Sequence, residues 1–285
     1  VPPRRSAEPT RPKAARGQGQ LALVAAERPG RTARGLDGEL TPSRKADQVA
    51  RDLLRKVTSR EIAPGDILPK EEALATQYGV NRGVVREAIK LLEVHRLVRP
   101  VRRRGTIVLE PLHSMSPEVL VAMLLPRPGH VDLSTLGAFL EVRGTLDVEM
   151  TALAAERRTA ADLEAMRAAI ERLGALLDDG PAYSREVQKL PLLVARATRN
   201  PMYEMLAAFN ARVVSELEAS LVATRPASRE QREGLSILVD VIERRDVEGA
   251  RRAVATFHAW SRPRILASAA LASGAPLSSI LKEVE

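Results

Sequence analysis

Three cations recur at one-turn intervals: Arg82, Arg86 and Lys90 stand at i, i+4 and i+8. On an α-helix that spacing makes a basic stripe roughly 90° round from Val85, Ile89 and Leu92, so the apolar face can pack while the stripe stays free. Guanidinium and ammonium groups in a row bind phosphate oxygens, and Arg from a first helical turn can reach guanine edges in a major groove. Asn81 is a good N-cap for such a helix, and Gly83 omits a side chain where the backbone would approach DNA, at ~1 kcal/mol of helix propensity. A second group, Arg102, Arg103 and Arg104 followed by Gly105, suits a hairpin tip that tracks phosphates or enters a minor groove. Lys70 adds one more cation at the start of the preceding helix. The competing reading of all of these is a solvated basic face with no role.

Other chemistry is thinly represented. The chain has no Cys, which excludes disulfides, thiolate metal sites and Cys nucleophiles. Its four histidines, His95, His113, His130 and His258, never fall at i, i+3 or i+4, so they give no metal signal. There is no Gly-rich phosphate loop and no nucleophile elbow, and the Asp178-Asp179 pair sits beside Gly180 at a helix end. Neither an enzyme nor a bound cofactor is expected. Charge is uneven: Lys/Arg against Asp/Glu run 8 to 4 over residues 1–42, 15 to 9 over 43–111 and 21 to 23 over 112–285. The basic part contains one aromatic, Tyr78, too few for stacking on single-stranded bases, so duplex DNA is the polyanion it suits.

The elements that must position these residues follow from periodicity. Ala46, Val49, Ala50, Leu53, Leu54 and Val57 mark one helical face. Pro64-Gly65-Asp66 is a turn, a short helix covers about 70–78, Gly79 ends it, and a third helix follows Asn81. Leu97-Val98 and Thr106-Ile107-Val108 flank the arginines as a β-hairpin. Beyond Ser116 the pattern is helical almost throughout. Helices are expected from Pro117, over 133–157, from a Thr159/Asp162 capping box to about 178, over 183–198 and 201–223, from a Ser228/Gln231 box to about 244, and from Asp246 onward. Gly180-Pro181 is expected to break the chain and Pro263 to kink or end the last helix. With aromatics at 2% and hydrophobic residues at 45%, the core is one of aliphatic helices. The fold class is mainly α: a winged helix-turn-helix with a small hairpin, then an all-α bundle. The expected division is a disordered basic tail over 1–42, a DNA-binding domain over 43–111, a linker with a short helix over 112–131, an effector-binding and dimerisation domain over 132–270, and a frayed tail over 271–285. No apolar run reaches the ~20 residues of a membrane span, and a cytoplasmic protein is expected.

The wording of the first part is more specific than its architecture. Pro64-Gly65-Asp66-Ile67-Leu68-Pro69, Leu74-Ala75, Tyr78-Gly79-Val80-Asn81-Arg82, Val85-Arg86-Glu87-Ala88 and Arg104-Gly105-Thr106 resemble the GntR family of bacterial transcription regulators over about 44–108. Glu141-Val142-Arg143, Ala152-Leu153-Ala154-Ala155, Ala197-Thr198-Arg199-Asn200-Pro201 and Asp246 with Ala250 resemble, in that order, the all-helical FCD-type effector domain of its FadR-like branch. The resemblance implies a regulator, expected to be a repressor, that binds a pseudo-palindromic operator as a homodimer. It maps operator contacts onto Asn81, Arg82, Gly83, Arg86 and Gly105. Glu72 stands where the family often has Arg, and Asn81 and Gly83 replace hydroxyl residues, so the operator sequence does not transfer.

Many effector domains of this type hold a divalent metal on one Asp and three His. Counting from Asn200 and Asp246, those positions fall on Val187, Pro191, Leu235 and Phe257, none of which offers a side-chain ligand; His258 lies one place on. The resemblance then leaves three outcomes: a dry pocket for an apolar effector such as a fatty acid or acyl-coenzyme A, a polar effector anchored on Arg143, or a cavity filled by Val187, Leu235 and Phe257, leaving ligand-independent dimerisation. Pro191 should bend its helix.

Overall fold

A computed structural model describes residues 42–220 and 229–274 of the chain. The basic segment 1–41, the Ser228 cap and the segment beyond 274 lie outside the described residues.

The first helix, α1 (Pro42–Thr58), buries Ala46, Val49, Ala50, Leu53 and Val57, the face its periodicity marks. Helix α2 (Glu71–Tyr78) ends at Gly79, whose φ is 63°. Helix α3 (Arg82–Val94) starts at Asn81, whose Oδ1 accepts from the Val84 N–H at 2.9 Å, and buries Val84, Val85, Ala88, Ile89 and Leu92. Strands β1 (Val98–Val101) and β2 (Gly105–Val108) pair antiparallel, Val98 opposite Val108 and Val101 opposite Gly105. The segment expected as a plain turn does more than turn. Gly65 N–H donates to the Val108 carbonyl at 2.9 Å, Val108 N–H to Asp66 at 2.9 Å and Leu68 N–H to Thr106 at 2.8 Å. Residues 65–68 thus cover the outer edge of β2, where Ile67 bridges Ile107, and leave that edge closed to other strands.

After a 3₁₀ turn (Pro111–His113) the chain is helical: α4 (Pro117–Leu124), α5 (Leu133–Arg157), α6 (Ala160–Ala175), α7 (Gly180–Val187), α8 (Lys189–Ala197), α9 (Pro201–Ser220), α10 (Arg229–Glu243) and α11 (Val247–Ala272). The Thr159/Asp162 capping box forms in both directions, and Asp246 caps α11 through the Gly249 N–H at 2.8 Å. Four expectations are revised. The break expected at Gly180-Pro181 lies just ahead of it, over 176–179, and Gly180-Pro181 opens α7, because Asp179 caps that helix through Ala182 N–H and a first-turn Pro lacks only an N–H that has no helical partner anyway. The single helix expected over 183–198 is two, separated at Gln188. Pro191 therefore does not bend a continuous helix: it lies in the first turn of α8, and the Val187 carbonyl it would have left unbonded belongs to the end of α7. Of the two outcomes expected at Pro263, a kink or an end, the end is ruled out, because α11 runs nine residues beyond it. Burial of Val254, Ser261, Ala269 and Ala270 on either side of the proline holds both halves in place and offsets the lost backbone bond.

Three apolar cores result. One joins α1, α2, α3 and the hairpin; a second joins the C-terminal half of α5 with α6, α7, α8, α10 and the start of α11; a third gathers Leu124, Val131, Leu136, Leu140, Val213, Leu217 and Ala269. The short helix α4 is shared: Val119 is 1% exposed in the first core and Leu124 0% exposed in the third. Helices α5 and α11 run antiparallel, as their cross-pairs Glu149–Arg251, Asp147–His258 and Glu141–Arg262 require. Among the described residues no helix is long and apolar enough to cross a membrane.

Candidate nucleic-acid interface and effector wall

The buried face of α3 fixes which way its cations point. With Val85, Ala88, Ile89 and Leu92 locked against α1, the side chains of Arg82 and Arg86 remain 62% exposed and Lys90 is exposed on the same stripe. Arg102, Arg103 and Arg104 are exposed at the tip of the β1–β2 hairpin, where Arg103 takes φ 63°. Gly105 follows at φ 107°, and a Cβ there would come within 3.0 Å of the Ile67 side chain, so both backbone and neighbour call for glycine. Lys70, also exposed, occupies the N-cap position of α2 without capping through its side chain. Gly83 has a reason inside the molecule: a Cβ would meet Asn81 Oδ1 at 3.1 Å and crowd the cap of α3.

One arrangement escaped the sequence reading. Arg82 is paired with Glu72, and Arg86 donates to both oxygens of Glu71, at 3.2 and 2.8 Å. The Arg86 guanidinium holds the Glu71 carboxyl below the usual carboxylate range. The acidic first turn of α2 complements its own helix dipole, as expected, but it also occupies the two arginines that lead α3. Both pairs are exposed, so each is weak, and a phosphate can displace either.

The residues singled out in the effector domain do not all come together. Arg143 and Pro191 line a cavity of about 20 Å³ with Asp147, Gln188 and Asn210, room for about one water. Val187, Leu235 and Phe257 pack into the second core instead. An acyl chain has no room at this wall in the structure. Arg143 Nε lies 3.4 Å from Asp147 on its own helix, and His258 Nε2 lies 3.0 Å from the same carboxylate, with side chains 21%, 16% and 19% exposed respectively. Among the described residues no three His, Cys, Asp or Glu side chains are grouped to hold a metal ion. The Asp147–His258 contact was not foreseen, because the two residues are 111 apart in the chain and meet only once α5 and α11 pack.

The family model described as "Bacterial regulatory proteins, gntR family" matches residues 45–108, and the FCD domain model matches 138–258. The HTH-type transcriptional regulator LutR of Bacillus subtilis is 33% identical over 53% of this chain and 66% of its own length, just under two thirds. The galactonate operon transcriptional repressor of Escherichia coli is 24% identical over 78% of this chain and 96% of its own. Among solved structures, that of Lar, titled as controlling expression of the Listeria monocytogenes agr system, has a TM-score of 0.52 at 18% identity, covering 83% of this chain and 98% of that one, and shares the fold.

Proposed function

The chain belongs to the gntR family of bacterial regulatory proteins, with an FCD domain behind the DNA-binding module, and from that premise we propose that it is a dimeric repressor whose operator affinity responds to a small molecule. It is a transcription regulator and not an enzyme. Residues 43–111 act as the DNA-binding domain and 132–270 as the effector and dimerisation domain. Asn81, Arg82, Gly83, Arg86 and Lys90 enter the major groove; Lys70, Arg102, Arg103, Arg104 and Gly105 hold the backbone or the minor groove. The observation that carries this reading is the exposed Arg82–Arg86–Lys90 stripe on a helix whose opposite face is buried. One such helix per chain reads a half-site, so two-fold pairing of chains gives a pseudo-palindromic operator. The repressor role rests on the printed name of the galactonate relative, and a cytoplasmic location on the place of the DNA.

The test is an anisotropy titration with a duplex selected by this protein from random sequence. Arg82→Ala and Arg86→Ala are each expected to cost ~1–3 kcal/mol of binding. Unchanged affinity in both removes α3 from the interface. A second reading, in which the C-terminal domain serves dimerisation alone, is favoured by the narrow cavity at Arg143. It predicts that no small molecule alters operator affinity.

A further inference from the structure

A larger cavity lies away from that wall. Helices α1, α4 and α9 and the segment 127–131 enclose a groove of about 420 Å³ between the DNA-binding module and the effector domain. That size is within the range of sites that bury a small organic ligand. Leu54, Val121, Ala122, Leu125 and Val131 give it an apolar lining. Four guanidinium groups, Arg51, Arg55, Arg127 and Arg212, stand against two carboxylates, Glu118 and Glu216. Arg55 is bonded to Asp52 and Arg212 to Glu118. Arg51 donates only to the Asp47 carbonyl, and neither it nor Arg127 has a carboxylate partner among the described residues. Both are exposed, so an anionic group whose apolar body lies on that wall meets two guanidinium groups that no carboxylate engages.

The groove is also wired to α3. Arg212 of α9 donates to Glu118; the other Glu118 oxygen accepts from the Ser116 hydroxyl at 2.6 Å; that hydroxyl lies 2.9 Å from Nδ1 of His95, the residue that ends α3. An anion that draws Arg212 away from Glu118 loosens a polar chain joining α9 to the end of the recognition helix. We propose that this groove binds amphipathic monoanions, an apolar body on the α1–α4 wall and one carboxylate or sulfonate among the arginines, and that occupancy weakens DNA binding through the Arg212–Glu118–Ser116–His95 chain. The second half rests on the DNA-binding reading above; the first does not.

The probe is decanoate, with uncharged decanol as its control, followed by calorimetry on the full chain without DNA. Wild type is expected to bind decanoate at least tenfold more tightly than does the Arg51→Ala/Arg127→Ala variant, while decanol does not distinguish the two. Ala122→Trp, which fills the groove, is expected to abolish binding; because it places a large side chain at a packed site, the arginine variant on exposed positions is the independent check. Decanoate binding that is absent, or equal in wild type and the arginine variant, overturns the site. With the selected duplex, saturating decanoate is expected to weaken wild-type DNA binding at least threefold and to leave Ser116→Ala, which keeps the groove, unaffected. Equal weakening in Ser116→Ala overturns the coupling. Failure of the chain to bind any duplex overturns the DNA-binding reading, while the calorimetry still decides the site.

Discussion

Among the described residues five arginines hold a left-handed backbone: Arg60, Arg96, Arg103, Arg199 and Arg245. The conformation costs a non-glycine residue about 1 kcal/mol, and most of these side chains reach something in return. Arg60 donates to both Glu110 oxygens at 2.9 and 3.1 Å, Arg199 to Thr159 and Asp162, and Arg245 to the carbonyls of Glu156 and Arg158 at 2.6 and 3.1 Å. Arg96 has no such partner among the described residues. Denaturant unfolding should therefore rank the glycine variants: Arg96→Gly more stable by about 0.5–1 kcal/mol, Arg60→Gly within about 0.5 of wild type, and Arg245→Gly less stable by about 1. For Arg60 the ion pair with Glu110 removes the gain that glycine would bring. A second residue-scale prediction concerns Glu71 and Glu72. They must release Arg86 and Arg82 before phosphate can take their place, and they stay beside the DNA as negative charges. Glu72→Gln and Glu71→Gln should each tighten duplex binding roughly 3–10-fold in an anisotropy titration. Weaker binding by either would show that these carboxylates set the arginines in a productive pose.

At the scale of elements, α1 and α2 are joined by a small polar cluster. Asp52 Oδ2 accepts from the Tyr78 hydroxyl at 2.6 Å, Lys56 lies 3.0 Å from Asp52 and over the Tyr78 ring, and Arg55 donates to the other carboxylate oxygen. Partial burial pushes the Asp52 carboxyl upward, but the hydrogen bonds from Tyr78, Lys56 and Arg55 outweigh it and bring the value down to about 2. A carboxyl lowered on folding stabilises the protein above its unfolded value and loses that contribution as pH falls through the folded one. Asp52→Asn should thus cost about 1 kcal/mol at neutral pH, after allowance for solvent screening, and the difference should vanish between about pH 4 and pH 2 in urea melts. A constant difference across that window would mean that packing, not charge, accounts for the loss. Tyr78 was legible as an isolated aromatic, not as Asp52's donor, because the two are 26 residues apart. The same divide runs through the whole chain. Caps and periodic faces act within a few residues, so Asn81, Thr159, Asp246 and the buried set of α1 could be read directly. The break at Gln188, the persistence of α11 through Pro263 and the covering of β2 by residues 65–68 depend on what packs alongside, which no local window contains.

For the whole molecule, the governing feature is that excess positive charge sits in residues 1–111 while 112–285 is nearly balanced. Every phosphate neutralised by Lys or Arg releases counterions, so binding falls with salt in proportion to the number of contacts. If two chains bind as a two-fold pair, each contact occurs twice. Removing one phosphate-contacting cation then removes two contacts per complex, and the slope of log K against log salt should flatten by about 2 rather than about 1. Arg102, exposed beside the hairpin tip and without an ion-pair partner among the described residues, is the residue to remove, since no internal pair has to be rearranged when it goes. Arg102→Ala should flatten the slope by about 2 and weaken binding to unrelated duplexes as much as to the selected one, because phosphates carry no sequence. Arg251, whose partner Glu149 lies on α5, gives the opposing control: its removal should leave the slope unchanged. A flattening near 1 for Arg102→Ala would mean that only one chain's wing touches DNA. No flattening at all would take the wing out of the interface and leave α3 to bind without it.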